Sequence, residues 1–183
     1  MHGSGSGRLS PRNRFVARTL LEGGLATLLL DLLEEREAED RRKVFDIDLL
    51  ADRLLAATEW LSRTPSTQGL RLGYFGASTG AGAALQAAAR SPASVAAVVS
   101  RGGRPDLAAP YLPQVTAPTL LIVGGEDVPV IQMNEEALAL LTCPKKLVIV
   151  PGATHLFEEP GTLEQVADLA KRWFLRHLGR IDD

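Results

Sequence analysis

Five short apolar runs, each nearly continuous in hydrophobicity, restrict what this chain can fold into: Leu25–Leu30, Leu70–Phe75, Val95–Val99, Thr119–Val123 and Leu147–Val150. Each is bounded by Gly, Pro or polar residues. A strand with one wet face alternates apolar and polar side chains, whereas a strand covered on both faces does not. The runs therefore predict a parallel sheet between two layers of helices. Segments of helical period lie between them. Ser10-Pro11 opens the first, a serine N-cap with proline at the first helical position, and Gly23-Gly24 stops it. Phe15, Val16, Leu20 and Leu21 form its apolar face. Asp46–Arg63 carries Ile47, Leu50, Leu54, Ala57 and Leu61 on one stripe. An Ala- and Gly-rich helix follows Ser78, and another follows Pro129 with Val130, Met133, Ala137 and Leu140 or Leu141 inward. The last opens on Thr162-x-x-Gln165, a capping-box pattern, and buries Leu163, Val166, Leu169, Ala170, Trp173 and Phe174. Strand–helix alternation with short links predicts an α/β fold. The charged run Glu34–Lys43 reads as a solvated loop or helix start.

A length of 183 residues fits one domain, spanning 1–183. Acids number 22 and bases 20, a formal net charge of −2, which argues against a nucleic-acid partner. The single cysteine, Cys143, excludes an intrachain disulfide and a thiolate zinc cluster. With three histidines (His2, His155, His177), neither a metal nor another cofactor is expected. The apolar stretch Leu25–Leu33 is broken by Asp31 and too short to span a bilayer, and the first seven residues lack the apolar core of a signal peptide. No membrane association and a cytoplasmic location are the expectations, and a homodimer is compatible with them.

Chemistry concentrates at Gly76-Ala77-Ser78-Thr79-Gly80, which follows the run Leu70–Phe75 and precedes the Ala-rich helix. G-x-S-x-G between strand and helix holds the serine on a sharp, strained turn with its hydroxyl exposed. Strand and helix must approach closely there, so Gly76 and Gly80 must be small. The helix N-terminus also favours negative charge at Ser78. Two further loops follow separate predicted strands. Gly124-Gly125-Glu126-Asp127 places a carboxylate at the carboxyl end of a late strand, where open α/β sheets carry their sites. Asp127 is preferred to Glu126, because Val128-Pro129-Val130 leads straight into the next helix. Pro151-Gly152-Ala153-Thr154-His155 places a histidine after the last run. The chain order Ser78, Asp127, His155 is that of a nucleophile, acid and base. His155 would take the serine proton and return it to the leaving group, and Asp127 would fix the imidazole tautomer. The Thr79 amide would supply one oxyanion donor. The second normally comes from the loop before the first large helix, here His2-Gly3-Ser4-Gly5-Ser6, with Ser4 the candidate.

On these residues the chain resembles the α/β-hydrolases, and within them the dienelactone hydrolase-like group. The matching segments are His2–Ser6 with Ser10-Pro11-Arg12-Asn13, Leu25–Leu33, Gly76–Gly80, Ser100–Asp106, Gly124–Val130 and Pro151–Glu159. The resemblance implies an α/β-hydrolase fold: a mostly parallel sheet with helices on both faces. It implies a serine hydrolase that cleaves small esters or lactones through an acyl-enzyme. Dienelactone hydrolases proper use a cysteine nucleophile, whereas the elbow here holds Ser78, and Cys143 lies in the wrong place for that role. In the resembling proteins strands precede the His-Gly loop, and one of them lies between the strands matching Leu25–Leu30 and Leu70–Phe75. This chain starts at the loop, so those N-terminal strands are expected to be missing. The two runs should then pair directly, stand apart across a gap, or have the gap filled by a second chain. The short stretch Arg101–Pro118 leaves no room for a cap domain. Arg101 and Arg104 stand where they could hold a substrate carboxylate. The competing readings are a catalytically inactive α/β-hydrolase remnant and, among enzymes, a thioesterase, an acyl-peptidase or a lysophospholipase.

Overall fold

The structure, a computed structural model, describes residues 7–179. Four strands form one parallel sheet in the order β1-β2-β3-β4: β1 Gly73–Ala77, β2 Ala97–Arg101, β3 Thr119–Gly124 and β4 Lys145–Val150. Side chains leave the central strands alternately to two cores. Tyr74, Val98 and Leu121 face one layer, and Ala97, Val99, Leu120, Ile122 and Val150 face the other. The first layer is built by α4 (Ile47–Arg63), α5 (Thr79–Arg90), the 3₁₀ segment Pro105–Gln114 and α6 (Val128–Leu140). The second is built by α1 (Pro11–Glu22) and α7 (Thr162–Leu178). This is the expected α/β class, with helices on both faces and only the short 3₁₀ segment between β2 and β3.

Most expected helix ends hold. The Ser10 side chain accepts from the Asn13 amide, Pro11 begins α1, and Gly23 closes it. Asp46 caps α4 by accepting from the Leu49 amide. Of the apolar face assigned to α1, Val16 and Leu20 are buried, but Leu21 and Phe15 are exposed. At α6 the inward residue is Leu141, not Leu140. The capping box expected at Thr162 does not form. Gly161, at φ 81°, is the N-cap, and the Thr162 hydroxyl donates backward to the Glu159 carbonyl. Glu34–Lys43 is more ordered than a solvated loop, folding into two single turns, α2 (Glu35–Ala38) and α3 (Arg41–Val44). Glu37 bridges both Arg53 and Lys43, while Arg53 also donates to the Leu32 carbonyl.

The principal departure is at Leu25–Leu30, which is expected as a strand and is not one. Among the described residues no strand lies on the free side of β1. Between Leu25–Leu30 and β1 runs a cleft of about 1380 Å³, lined by Leu28, Leu30, Leu72, Tyr74, Phe75 and Phe174 among others. Of the three outcomes expected for these two runs, the structure shows the gap. Hydrophobicity alone could not separate a strand from an extended segment that has apolar neighbours but no ladder partner. Leu28 is accordingly 50% exposed and Leu70 60%. Hydrogen–deuterium exchange should show the consequence. Amides 26–30 should exchange rapidly, while those of β2 and β3 should be the slowest in the protein. Protection of 26–30 equal to that of β3 would show the cleft to be closed in solution.

Candidate active site

Three loops meet at the carboxyl ends of β1, β3 and β4. At the first, β1 turns into α5 through Ser78, whose φ of 50° and ψ of −125° put a non-glycine residue in a rarely occupied region. The surroundings enforce it. A Cβ on Gly76 would stand 2.6 Å from both the Ala81 Cα and the Gly80 carbonyl oxygen, so strand and helix can touch only if residue 76 is glycine. The Ser78 amide donates to the Arg101 carbonyl at 3.3 Å, and the Ser78 carbonyl accepts from the amides of Ala81 and Arg104. The turn is thus tied to the helix ahead and to the strand beside it. Thr79 begins α5, and its amide makes no hydrogen bond among the described residues. Ser4, the other expected oxyanion donor, lies outside the described residues.

At the second and third loops, backbone contacts lash the acid segment to the histidine segment. The Gly125 amide donates to the Val150 carbonyl at 2.8 Å, and the Glu126 amide donates to the Ala153 carbonyl at 3.0 Å. A Cβ on Gly124 would stand 2.4 Å from the Ala153 carbonyl oxygen. Asp127 is the N-cap residue of α6, yet its side chain does not cap the helix. It turns to His155 instead, with Oδ2 2.6 Å from Nδ1. Glu126 is exposed. His155 packs over Gly102, where an added Cβ would lie 3.5 Å from Nδ1. The structure therefore brings Asp127 and His155 together at the ends of β3 and β4 and sets Ser78 at the carboxyl end of β1, across β2 in the same sheet. No hydrogen bond joins the Ser78 hydroxyl to His155. Catalytic hydrogen bonds are commonly long without substrate and tighten in the complex.

Three residues that support His155 were not singled out from sequence. Phe157 has φ 54° and is 1% exposed in the core under α7, so it anchors the loop at the cost of a strained backbone. Glu159 accepts from both the amide and the hydroxyl of Thr154. These bonds, with backbone donors, hold its carboxyl below its ordinary value of 4.5. Arg12 pairs with Glu158 at 2.5 Å and so ties α1 to the same loop. The position of Glu159, second in Glu158-Glu159-Pro160, gave no signal that it would reach back to Thr154.

The two arginines expected as candidates to hold a substrate carboxylate differ. Arg104 forms a bidentate pair with Asp106 at 2.9 and 2.7 Å and lies over the Phe45 ring, so its fork is already occupied. Arg101 is 7% exposed, and burial pulls its guanidinium down to about 10. Cys143 is buried beneath Thr119, far along the chain from the elbow, and is free. Among the described residues no helix is long and apolar enough to cross a membrane, and no cluster of His, Cys, Asp or Glu has the composition of a metal site.

A family model described as the dienelactone hydrolase family matches residues 15–178. The crystal structure of a dienelactone hydrolase from Anabaena variabilis is 63% identical with a TM-score of 0.92, covering 97% of this chain and 84% of that one. Est1E from Butyrivibrio proteoclasticus superposes with a TM-score of 0.82 at 17% identity, covering 98% of this chain and 86% of that one. A Mycobacterium tuberculosis protein named "Putative phosphoribosyl transferase" is 61% identical over 177 residues. That match takes in 97% of this chain, which spans about 40% of the length of that relative.

Two outcomes follow from the loop geometry. Gly124→Ala should cost roughly 1–3 kcal/mol, because a backbone carbonyl must move, measured by urea denaturation; an unchanged midpoint would contradict the close approach. Glu159 is lowered in the folded state, so its clamp on Thr154 is complete above the ordinary glutamate range and is lost as pH falls through the lowered value. The Thr154 amide shift should follow a titration with its midpoint below 4.5, the ordinary value.

Proposed function

Because the chain belongs to the dienelactone hydrolase family and has an α/β-hydrolase fold, we propose that it is a serine hydrolase of small esters or lactones. The observation that carries this is the conjunction of a strained Ser78 at the strand–helix elbow after β1 with an Asp127–His155 pair at the same-side ends of β3 and β4. In this reading the Ser78 Oγ attacks the substrate carbonyl while His155 Nε2 accepts its proton. The negative charge that develops on the carbonyl oxygen is met by the Thr79 amide. One such donor is worth roughly 3–4 kcal/mol at the transition state. Asp127, on Nδ1, holds the ring with Nε2 free to accept and stabilises the imidazolium that forms. His155 then protonates the leaving alcohol. Water, deprotonated by the same nitrogen, attacks the acyl-enzyme and releases the acid and Ser78. The transferase name of the mycobacterial relative belongs to a chain more than twice as long, and nothing at the elbow calls for moving that activity here.

Steady-state hydrolysis of 4-nitrophenyl butyrate by single variants tests the assignment. Ser78→Ala should reduce kcat by at least about 10⁴-fold. Asp127→Asn should cost about 10⁴-fold, since an amide stabilises the wrong tautomer. Glu126→Gln should stay near wild type. Loss at Glu126 with an active Asp127→Asn would reverse the choice of acid, and a fully active Ser78→Ala would end the serine reading.

A further inference from the structure

The turn that follows β2 lies between the candidate nucleophile and its base, and it is bonded to both sides. The Arg101 carbonyl accepts from the Ser78 amide, and the Arg104 amide donates to the Ser78 carbonyl at 3.0 Å. The Gly102 amide donates to the Ile122 carbonyl of β3 at 2.7 Å. Gly102, at φ 49°, is the floor under the imidazole, where an added Cβ would stand 3.3 Å from the His155 carbonyl oxygen and 3.5 Å from Nδ1. Gly103 is pressed in on one side, where a Cβ would overlap Ser100 Oγ and stand 2.6 Å from the Ala81 Cβ. Its carbonyl accepts from Nδ2 of Asn134 at 3.1 Å. Among the described residues Asn134 is the one side chain bonded to the backbone of 101–104.

Asn134 is fully buried, inside α6, the helix whose N-cap is Asp127. Its Nδ2 also donates to the Val130 carbonyl one turn back at 2.8 Å, while its Oδ1 is buried without a partner. Asparagine is a poor residue for a helix interior, and burying an amide with one end unanswered costs more. An apolar side chain of similar volume would carry neither cost. What the amide supplies in return is a donor for the Gly103 carbonyl, and through it a tie from the helix of the acid to the turn between nucleophile and base. We propose that Asn134 is a positioning residue, which holds Gly102-Gly103 in place and so sets the separation of Ser78 from His155. This rests on the serine-hydrolase reading, in which that separation governs the proton transfer. A displacement of about 1 Å in such a pair costs about 10²-fold in rate. Having no exposed surface, Asn134 acts on the chemical step and not on substrate binding.

Steady-state hydrolysis of 4-nitrophenyl butyrate, read well below the melting temperature of each variant, tests the role. Asn134→Leu keeps the volume and removes the donor, so kcat should fall at least about tenfold with KM within about twofold of wild type. Asn134→Asp keeps the shape, and its carboxyl can donate to the Gly103 carbonyl only when protonated. Burial against two carbonyl oxygens favours the protonated form, so its kcat relative to wild type should be high near about pH 6 and fall by about pH 9. Ala137→Gly, which weakens the same helix without removing the donor, should keep kcat within about twofold. An unchanged kcat in Asn134→Leu, or an equal fall in Ala137→Gly, would overturn the proposal. Should Asn134→Leu fail to fold, the Asp variant decides, and a ratio to wild type that is constant with pH overturns it. The ring signals of His155 are read separately by NMR. Signals moved by Asn134→Leu and not by Ala137→Gly support the positioning even where the wild type turns over no ester, in which case only the hydrolase reading fails. Ring signals that stay in place in both variants overturn the positioning and leave the hydrolase reading to the Ser78 variants.

Discussion

The contact of β1 with α5 at Gly76 is the constraint on which the rest of the molecule depends. With no side chain at residue 76, the strand reaches the Gly80 carbonyl and the Ala81 backbone, and the turn between them holds Ser78 at a positive φ. The same closeness goes with the burial of eleven of the twelve residues of α5, eight of those eleven being Ala or Gly. A helix pressed this tightly onto a sheet has little room for large side chains on the contacting face. Its position then fixes the 3₁₀ segment and α4 packed against it, and it aims the helix N-terminus at the turn. Strain of the kind seen at Ser78 persists only where the surrounding packing holds it.

A second constraint acts at the other side of the site. The acid and histidine loops are not merely adjacent; Gly124 lets one lie on the other, and amides of Gly125 and Glu126 bond across. Two loops that could each move are therefore one body. That is why Asp127 leaves the helix terminus it might have capped and holds His155 instead. Phe157 and Glu159 complete the support from below and from the side.

Much of this was legible in the sequence, and the failures have identifiable causes. The elbow, the two loops and their strands were readable because each rests on local chemistry: Gly where backbones touch, Pro and Asp at a helix start, apolar runs in the strands, although of these only β2 and β3 are buried throughout and β4 is largely exposed or half-buried. Strand ends were displaced by a few residues, as at Ala97–Arg101, because burial continues past the last apolar residue when Ser100 and Arg101 are also enclosed. Leu25–Leu30 misled for a different reason. Its hydrophobicity reports neighbours on its faces, while a strand is defined by partners at its edges, and among the described residues none lies along the cleft. Thr162 misled because a positive-φ glycine before it took the cap. The roles of Phe157, Glu159 and Arg12 depend on contacts between segments far apart in the chain, which no local pattern encodes.

The central claim is that Ser78 is a nucleophile made reactive by its position. The most direct measurement is intact-mass and peptide mapping of the protein after exposure to a fluorophosphonate, which reports covalent reactivity without assuming a substrate. The account predicts a single adduct per chain on the peptide carrying Ser78, formed rapidly in the native protein and lost when urea unfolds the elbow. An adduct on another serine, or none in a folded protein, would contradict it.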